Sequence, residues 1–163
     1  MADVDIRDAQ PSDCKFILQM IKELAVYEDE PESRVNLTAE ILQEDGFSSD
    51  KWFYSLVAEV EVSKEKLVIG YALFFRTYST WDGRSMKIED LYVKPEYRKL
   101  GVGRKLLQGV TARALEEKCI RVHWCILAEN EPAIKFYEKL GGEIQHEWKV
   151  CYLVEEKMKA LVK

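Results

Sequence analysis

Lys87-Ile88-Glu89-Asp90-Leu91-Tyr92-Val93-Lys94-Pro95-Glu96-Tyr97-Arg98-Lys99-Leu100-Gly101-Val102-Gly103-Arg104-Lys105-Leu106-Leu107 decides the fold of this chain. Its first seven residues are rich in branched and aromatic side chains, and Pro95, which has no N–H for a ladder, stops them. That pattern predicts a strand ending at Val93. After Arg98 come Gly101 and Gly103, then Val102, Leu106, Leu107, Val110, Ala114 and Leu115 at helical spacing, so a loop opens a helix. Glycine lets such a loop turn tightly and approach a ligand, and the unpaired N–H groups and dipole of the helix start favour an anion. Arg98, Lys99, Arg104 and Lys105 concentrate positive charge in a chain of net charge -5. A phosphate-bearing ligand is expected there.

Gly-x-Gly before a helix also marks ordinary turns, and by itself decides little. Here the fuller pattern Arg-x-x-Gly-x-Gly lies between a strand and a helix. A second block follows at Asn130-Glu131-Pro132-Ala133-Ile134-Lys135-Phe136-Tyr137-Glu138-Lys139-Leu140-Gly141. The dinucleotide fingerprint Gly-x-Gly-x-x-Gly is missing, and no Gly-Lys-Ser/Thr closes the loop, so Rossmann and P-loop readings fail.

With 163 residues, the chain is expected to form one domain spanning 1–163. A hydrophobic share of 47% with 33% charged residues fits a globular protein, and no apolar run reaches membrane-spanning length. The opening Met1-Ala2-Asp3-Val4-Asp5 lacks the basic start and apolar centre of a signal peptide, so the cytoplasm is the expected compartment. Cys14, Cys119, Cys125 and Cys151 include no Cys-x-x-Cys pair, which predicts reduced thiols and no metal. A pI near 5.2 without a basic tract argues against nucleic acid and suits a cationic partner.

Val4 to Ala9 alternates as an edge strand. Pro11 and Asp13 open a helix whose Phe16, Ile17, Met20, Ile21 and Leu24 read as core, with Cys14 as a core thiol. The acidic run Tyr27-Glu28-Asp29-Glu30-Pro31-Glu32 follows. Such runs are usually solvated, although carboxylates beside a tyrosine at a helix end can hold an ammonium group. Thr38 caps a short helix that Asp45-Gly46-Phe47 ends. Trp52–Val62 and Leu67–Thr77 form a hairpin about Ser63–Lys66, and Trp81–Arg84 turns into the strand ending at Val93. Beyond the helix of about 101–118, Arg121–Leu127 reads as a strand and Asn130–Lys139 as a helix closed by Gly141. Glu143–Glu155 is expected to add two strands. The predicted architecture is α/β: a mixed, mostly antiparallel central sheet with helices on both faces.

The glycine loop and the Asn130-to-Tyr137 block resemble those of GNAT N-acetyltransferases, which implies transfer of an acyl group to an amine; that chemistry requires a neutral nucleophile, donors for an oxyanion and a proton for the leaving group. An alkyl ammonium has a pKa of about 10.4, so a base or a desolvating pocket must remove its proton. Glu89, flanked by apolar Ile88, is placed to act as that base, directly or through water. Glu89 or Asp90 holding only the ammonium is an equally open role. The backbone N–H groups near Leu91 and Val93 suit an oxyanion if the strand splays from its neighbour there. Tyr137 is the candidate acid, its phenol near pKa 10 protonating a leaving thiolate. Asn130 lies two turns before Tyr137 and also fits a simple N-cap. His123 and Cys125, two apart, read as packing residues.

The two glycine-loop and Asn-to-Tyr blocks resemble the GNAT superfamily of acetyl-CoA-dependent N-acetyltransferases. Ile6-Arg7, Asp13-Cys14, Ile21-Lys22-Glu23-Leu24-Ala25, Tyr27-Glu28, Asp45-Gly46-Phe47, Leu56-Val57-Ala58-Glu59 and Ile88-Glu89-Asp90 are similar to its diamine acetyltransferase family. The resemblance implies a homodimer transferring acetyl from acetyl-CoA to a primary amine. It implies amine contacts at Tyr27, Glu28 and Glu89, and Tyr137 as acid. Cofactor contacts are implied at Leu91, Tyr92, Val93, Arg98, Lys99, Leu100, Gly101, Val102, Gly103, Arg104, Asn130, Glu131, Pro132, Ala133 and Tyr137. Thr80 stands where the polyamine enzymes carry an acid before the turn tryptophan, which is closer to the thialysine-acetylating members. Glu129 replaces a tryptophan of those relatives, and Lys99 a loop glycine.

Overall fold

Strands of period-two alternation and amphipathic helices build the structure, a computed structural model describing residues 3–162. Met1, Ala2 and Lys163, part of the expected single domain, lie outside the described residues. The elements are β1 (Val4–Asp8), α1 (Cys14–Tyr27), α2 (Ala39–Phe47), β2 (Tyr54–Val62), β3 (Glu65–Ser79), β4 (Gly83–Val93), α3 (Val102–Glu116), β5 (Arg121–His123), α4 (Glu131–Glu138) and α5 (Glu155–Leu161). They fall into two compact units on either side of the Cys125–Ile126 bond.

In the first unit the strands run β1-β2-β3-β4-β5, antiparallel except for the parallel β4–β5 pair. The α3 side of the sheet buries Leu56, Ile69, Phe74, Met86 and Ile88 against Val102, Leu106, Val110 and Ala114. These helix residues lie four apart, on one line along α3. Leu107 packs at the edge of that line, and Leu115 falls off it and is exposed. The opposite side packs Val57, Tyr71 and Tyr92 against Cys14, Ile17 and Met20 of α1 and Leu42 of α2. Phe16 is about 100° round the helix from Ile17. It is exposed beneath Lys15, contrary to its expected place in the core.

Local signals set the helix ends. Pro11–Asp13 forms a single 3-10 turn, and Arg7 on β1 forks to Asp13 and to Glu59 on β2, each at 2.7 Å, fixing the approach to α1. Thr38 caps α2 by accepting from the Ile41 N–H at 3.3 Å. α2 ends at Asp45-Gly46-Phe47 as expected, and within that last turn a Cβ at Gly46 would stand 2.6 Å from the Phe53 ring. Close approach, rather than a turn, explains that glycine.

Three predicted strands differ. The strand expected over Arg121–Leu127 stops at His123, so Cys125 is exposed outside it; His123 packs at the edge of the sheet and hydrogen-bonds Thr77 Oγ1 at 3.0 Å. In the second unit, Glu143–Val154 holds no strand, and Glu155 begins α5. Alternating Trp148, Val150 and Tyr152 are exposed. Alternation needs a ladder partner to become a strand, and the described residues supply none.

Candidate active site

The register of β4 against β3 carries one irregularity. Leu73 pairs with Asp90 and Phe74 with Ile88, so Glu89 is an extra residue without a partner. Such a bulge inserts a residue while keeping the facing of the strand on either side. Ile88 and Leu91 therefore stay on the α3 side, and Lys87 and Asp90 on the α1 side. Glu89 reaches Lys87 Nζ at 2.7 Å. One strand thus gathers a cation and two carboxylates within four residues.

Asp90 is the partly buried member. Tyr71, fully buried on β3, donates its phenol hydrogen to Asp90 Oδ2 at 2.9 Å. Burial raises the Asp90 pKa, and the Tyr71 hydrogen bond opposes that rise. Glu28, at the C-terminal end of α1, is also raised, by local desolvation and then by the charge of Asp90. Burial first, and then both carboxylates, push the Tyr71 phenol well above its ordinary value, so it remains a donor. Asp90 raises Glu28, and Glu89 in turn raises Asp90, so a cation placed among these carboxylates relieves them. Glu89, more open to water, stands beside them.

The phosphate loop follows directly. A 3-10 turn over Pro95–Tyr97 leads to Lys99 at φ 63 and Gly101 at φ 82, and Gly101 begins α3 without a side-chain cap. A Cβ at Gly101 would meet nothing within 4 Å, so the glycine serves the left-handed backbone and leaves open space before the helix. The first N–H groups of α3 have no intrahelical acceptors, and Lys99 and Arg104 border them. The residues present fit a diphosphate such as that of acetyl-CoA, which the backbone N–H groups from Leu100 to Arg104 would hold. Lys99 adopts the left-handed conformation that glycine takes most easily.

Arg98, expected among the cofactor contacts, is held by groups of the protein itself. Its Nε donates to the Val93 carbonyl at 2.9 Å, and its guanidinium lies 4.8 Å from the Tyr27 ring and 5.3 Å from the Tyr92 ring. Tyr92 donates to Glu23 at 3.1 Å, and Glu23 also receives Lys94. Arg98 therefore joins the phosphate loop to the end of α1 that carries Glu28. Between loop and bulge, the Lys94 N–H bonds to Ile69 of β3. Alternation then turns the Leu91 and Val93 N–H groups toward the other edge of β4. The β5 ladder on that edge ends at Lys87–His123, so the strands part where the oxyanion donors were expected.

In the second unit, Asn130 caps α4 by accepting from the Ala133 N–H at 3.2 Å, with Glu131 and Pro132 in the first turn. Tyr137 is buried, its ring 4.9 Å from Phe136 in an edge-on pair, and burial pushes its phenol up to about 12. Tyr71 carries no local signal in the sequence beyond an aromatic residue in a strand. No cluster of His, Cys, Asp or Glu among the described residues could hold a metal ion. No described helix is long and apolar enough to cross a membrane.

A glycine loop opening a helix, a parting of two parallel strands and a carboxylate pair define an acyl-transfer site for amines. Residues 17–142 match the Acetyltransferase (GNAT) family, and the chain belongs to it as an acetyl-CoA-dependent amine N-acetyltransferase. It is 41% identical over 146 residues to the thialysine N-epsilon-acetyltransferase of Sus scrofa, covering 87% of this chain and 85% of that one. It is 36% identical over 140 residues to the spermidine/spermine N(1)-acetyltransferase-like protein 1 of Homo sapiens, covering 84% of this chain and 20% of that longer one. Among solved structures, an aminoglycoside N-acetyltransferase in complex with CoA has a TM-score of 0.73 at 19% identity, covering 95% of this chain and 97% of that chain. That likeness is one of fold.

Proposed function

We propose that the enzyme acetylates the distal amine of a small cationic acceptor, thialysine-like or a diamine, by direct attack in a ternary complex. The observation that carries this is the Glu28–Asp90 pair with Tyr71 bonded to Asp90 at 2.9 Å. Tyr27 borders the pair. Acetyl-CoA, when bound, supplies the activated thioester. Glu28 and Asp90 hold the ammonium, and Glu89, the exposed carboxylate, takes its proton through water. The Leu91 and Val93 N–H groups receive the oxyanion. Tyr137 returns a proton to the departing thiolate.

The family match includes parts of both compact units, which supports reading the whole chain as one catalytic domain. A cytoplasmic homodimer is the assembly and setting we assign. A polyamine acceptor is the second reading, favoured by the human relative's similarity and opposed by Thr80 at the turn.

Acetyl-CoA-dependent thiol release with thialysine, lysine, putrescine, spermidine and a lysine peptide tests these readings. Preference for thialysine or putrescine supports the first, and preference for spermidine the second. Binding of acetyl-CoA with no thiol release for any amine would remove both and leave a binding domain.

A further inference from the structure

Lys87 is a cation inside an anionic wall. Its Nζ lies 2.7 Å from Glu89 Oε2 and 5.6 Å from the centre of the Phe75 ring, with 27% of its side chain exposed. Lys87 shares the α1 face of β4 with Asp90, and its charge acts on Asp90. The other cations packed near this wall are engaged elsewhere: Arg98 between Tyr27 and Tyr92, and Lys94 on Glu23. Lys87 is thus the positive group that an acceptor held by Glu28 and Asp90 meets along the same strand.

An ammonium has three N–H donors, and the Glu89 pair uses one. Its partly exposed head retains capacity for a second carboxylate. An acceptor with an amine at one end and a carboxylate at the other satisfies both signs of the wall. A diamine or polyamine of similar length sets a second ammonium against Lys87 with no carboxylate on the same molecule to offset the repulsion, and like charges brought together across a site discriminate as strongly as attractive ones.

We propose that Lys87 is a specificity-determining residue that selects amino-acid acceptors, whose carboxylate it binds, over diamines and polyamines. The inference rests on the reading of Glu28 and Asp90 as the ammonium site.

The test compares kcat/KM for two matched pairs: thialysine against bis(2-aminoethyl) sulfide, and lysine against cadaverine. Within each pair the molecules differ by one carboxylate. The native enzyme should prefer the carboxylated member. Lys87→Met should cut that preference about tenfold, mainly through the KM of the carboxylated member, while Lys87→Arg keeps most of it. Loss of the Glu89 contact alone changes both members of a pair equally, so the ratio isolates the carboxylate. Acetyl-CoA affinity and Tm measured on each variant exclude misfolding.

An unchanged ratio in Lys87→Met overturns the proposal while leaving the ammonium site standing. Asp90→Asn tests that site separately and should raise KM for both members of each pair. If it raises neither, the ammonium site itself is wrong. Turnover of neither member by the native enzyme overturns both ideas.

Discussion

Tyr71 on β3 donates to Asp90 on β4 across 2.9 Å, from a residue completely withdrawn from solvent. The bond keeps the carboxylate oriented, yet burial still raises its pKa, and Glu28 is raised beside it. A carboxyl whose folded pKa lies above its unfolded value contributes stability below the unfolded pKa, and that contribution is lost as pH rises through the folded pKa. Asp90→Asn removes this loss. Its Tm should match the native enzyme near pH 4 and exceed it by about 2–4 °C at pH 8, while the amine KM rises. Thermal melts across that range check both signs.

Glu89→Gln separates proton transfer from anchoring. With Glu28 and Asp90 holding the ammonium, its main effect should be on kcat, a fall of about 100-fold with little change in amine KM. A rise confined to KM would place Glu89 among the anchors instead.

Arg98→Lys keeps the charge and removes the plane that lies between Tyr27 and Tyr92. A lysine cannot stack as a guanidinium does. Amine KM should rise about threefold to tenfold, from a contact of roughly 1 kcal/mol, with acetyl-CoA affinity changed less. Titration of each ligand in the presence of the other measures whether the two sites have become uncoupled.

Lys99→Gly relieves a left-handed backbone at φ 63. Stability should rise by about 1 kcal/mol, with a modest loss of acetyl-CoA affinity from the missing charge. Urea unfolding and cofactor titration read the two effects separately.

Tyr137→Phe removes only an oxygen from a buried ring. Its phenol, pushed up to about 12, holds its proton at every working pH. Turnover should drop by about 100-fold, with acetyl-CoA binding retained. Unchanged turnover would remove it from the acid role.

Much of this was legible because the local signals agree. β2, β3 and β4 alternate and are bounded by turn residues, and the glycine loop declares both its backbone and its charge. The bulge is not legible, since Ile88-Glu89-Asp90-Leu91 reads as an ordinary strand whose extra residue shows only against its neighbour. Asp90 was therefore visible as a carboxylate without its facing, and Tyr71 only as an apolar ring. The stacking of Arg98 depends on Tyr27, seventy-one positions away, which no local pattern encodes. Glu143–Val154 failed for the converse reason: its composition suits a strand, but pairing is a property of the neighbour.

The extra residue at Glu89 separates two histories that a sheet usually ties together. A residue in a regular ladder is constrained by its partner, so changing its chemistry risks the fold. Glu89 has no partner across β3, and removing it would return β4 to plain pairing with Ile88 and Asp90 on the same sides as before. The position works like a socket in the sheet, where variation or design can try new chemistry while the core beneath it remains assembled.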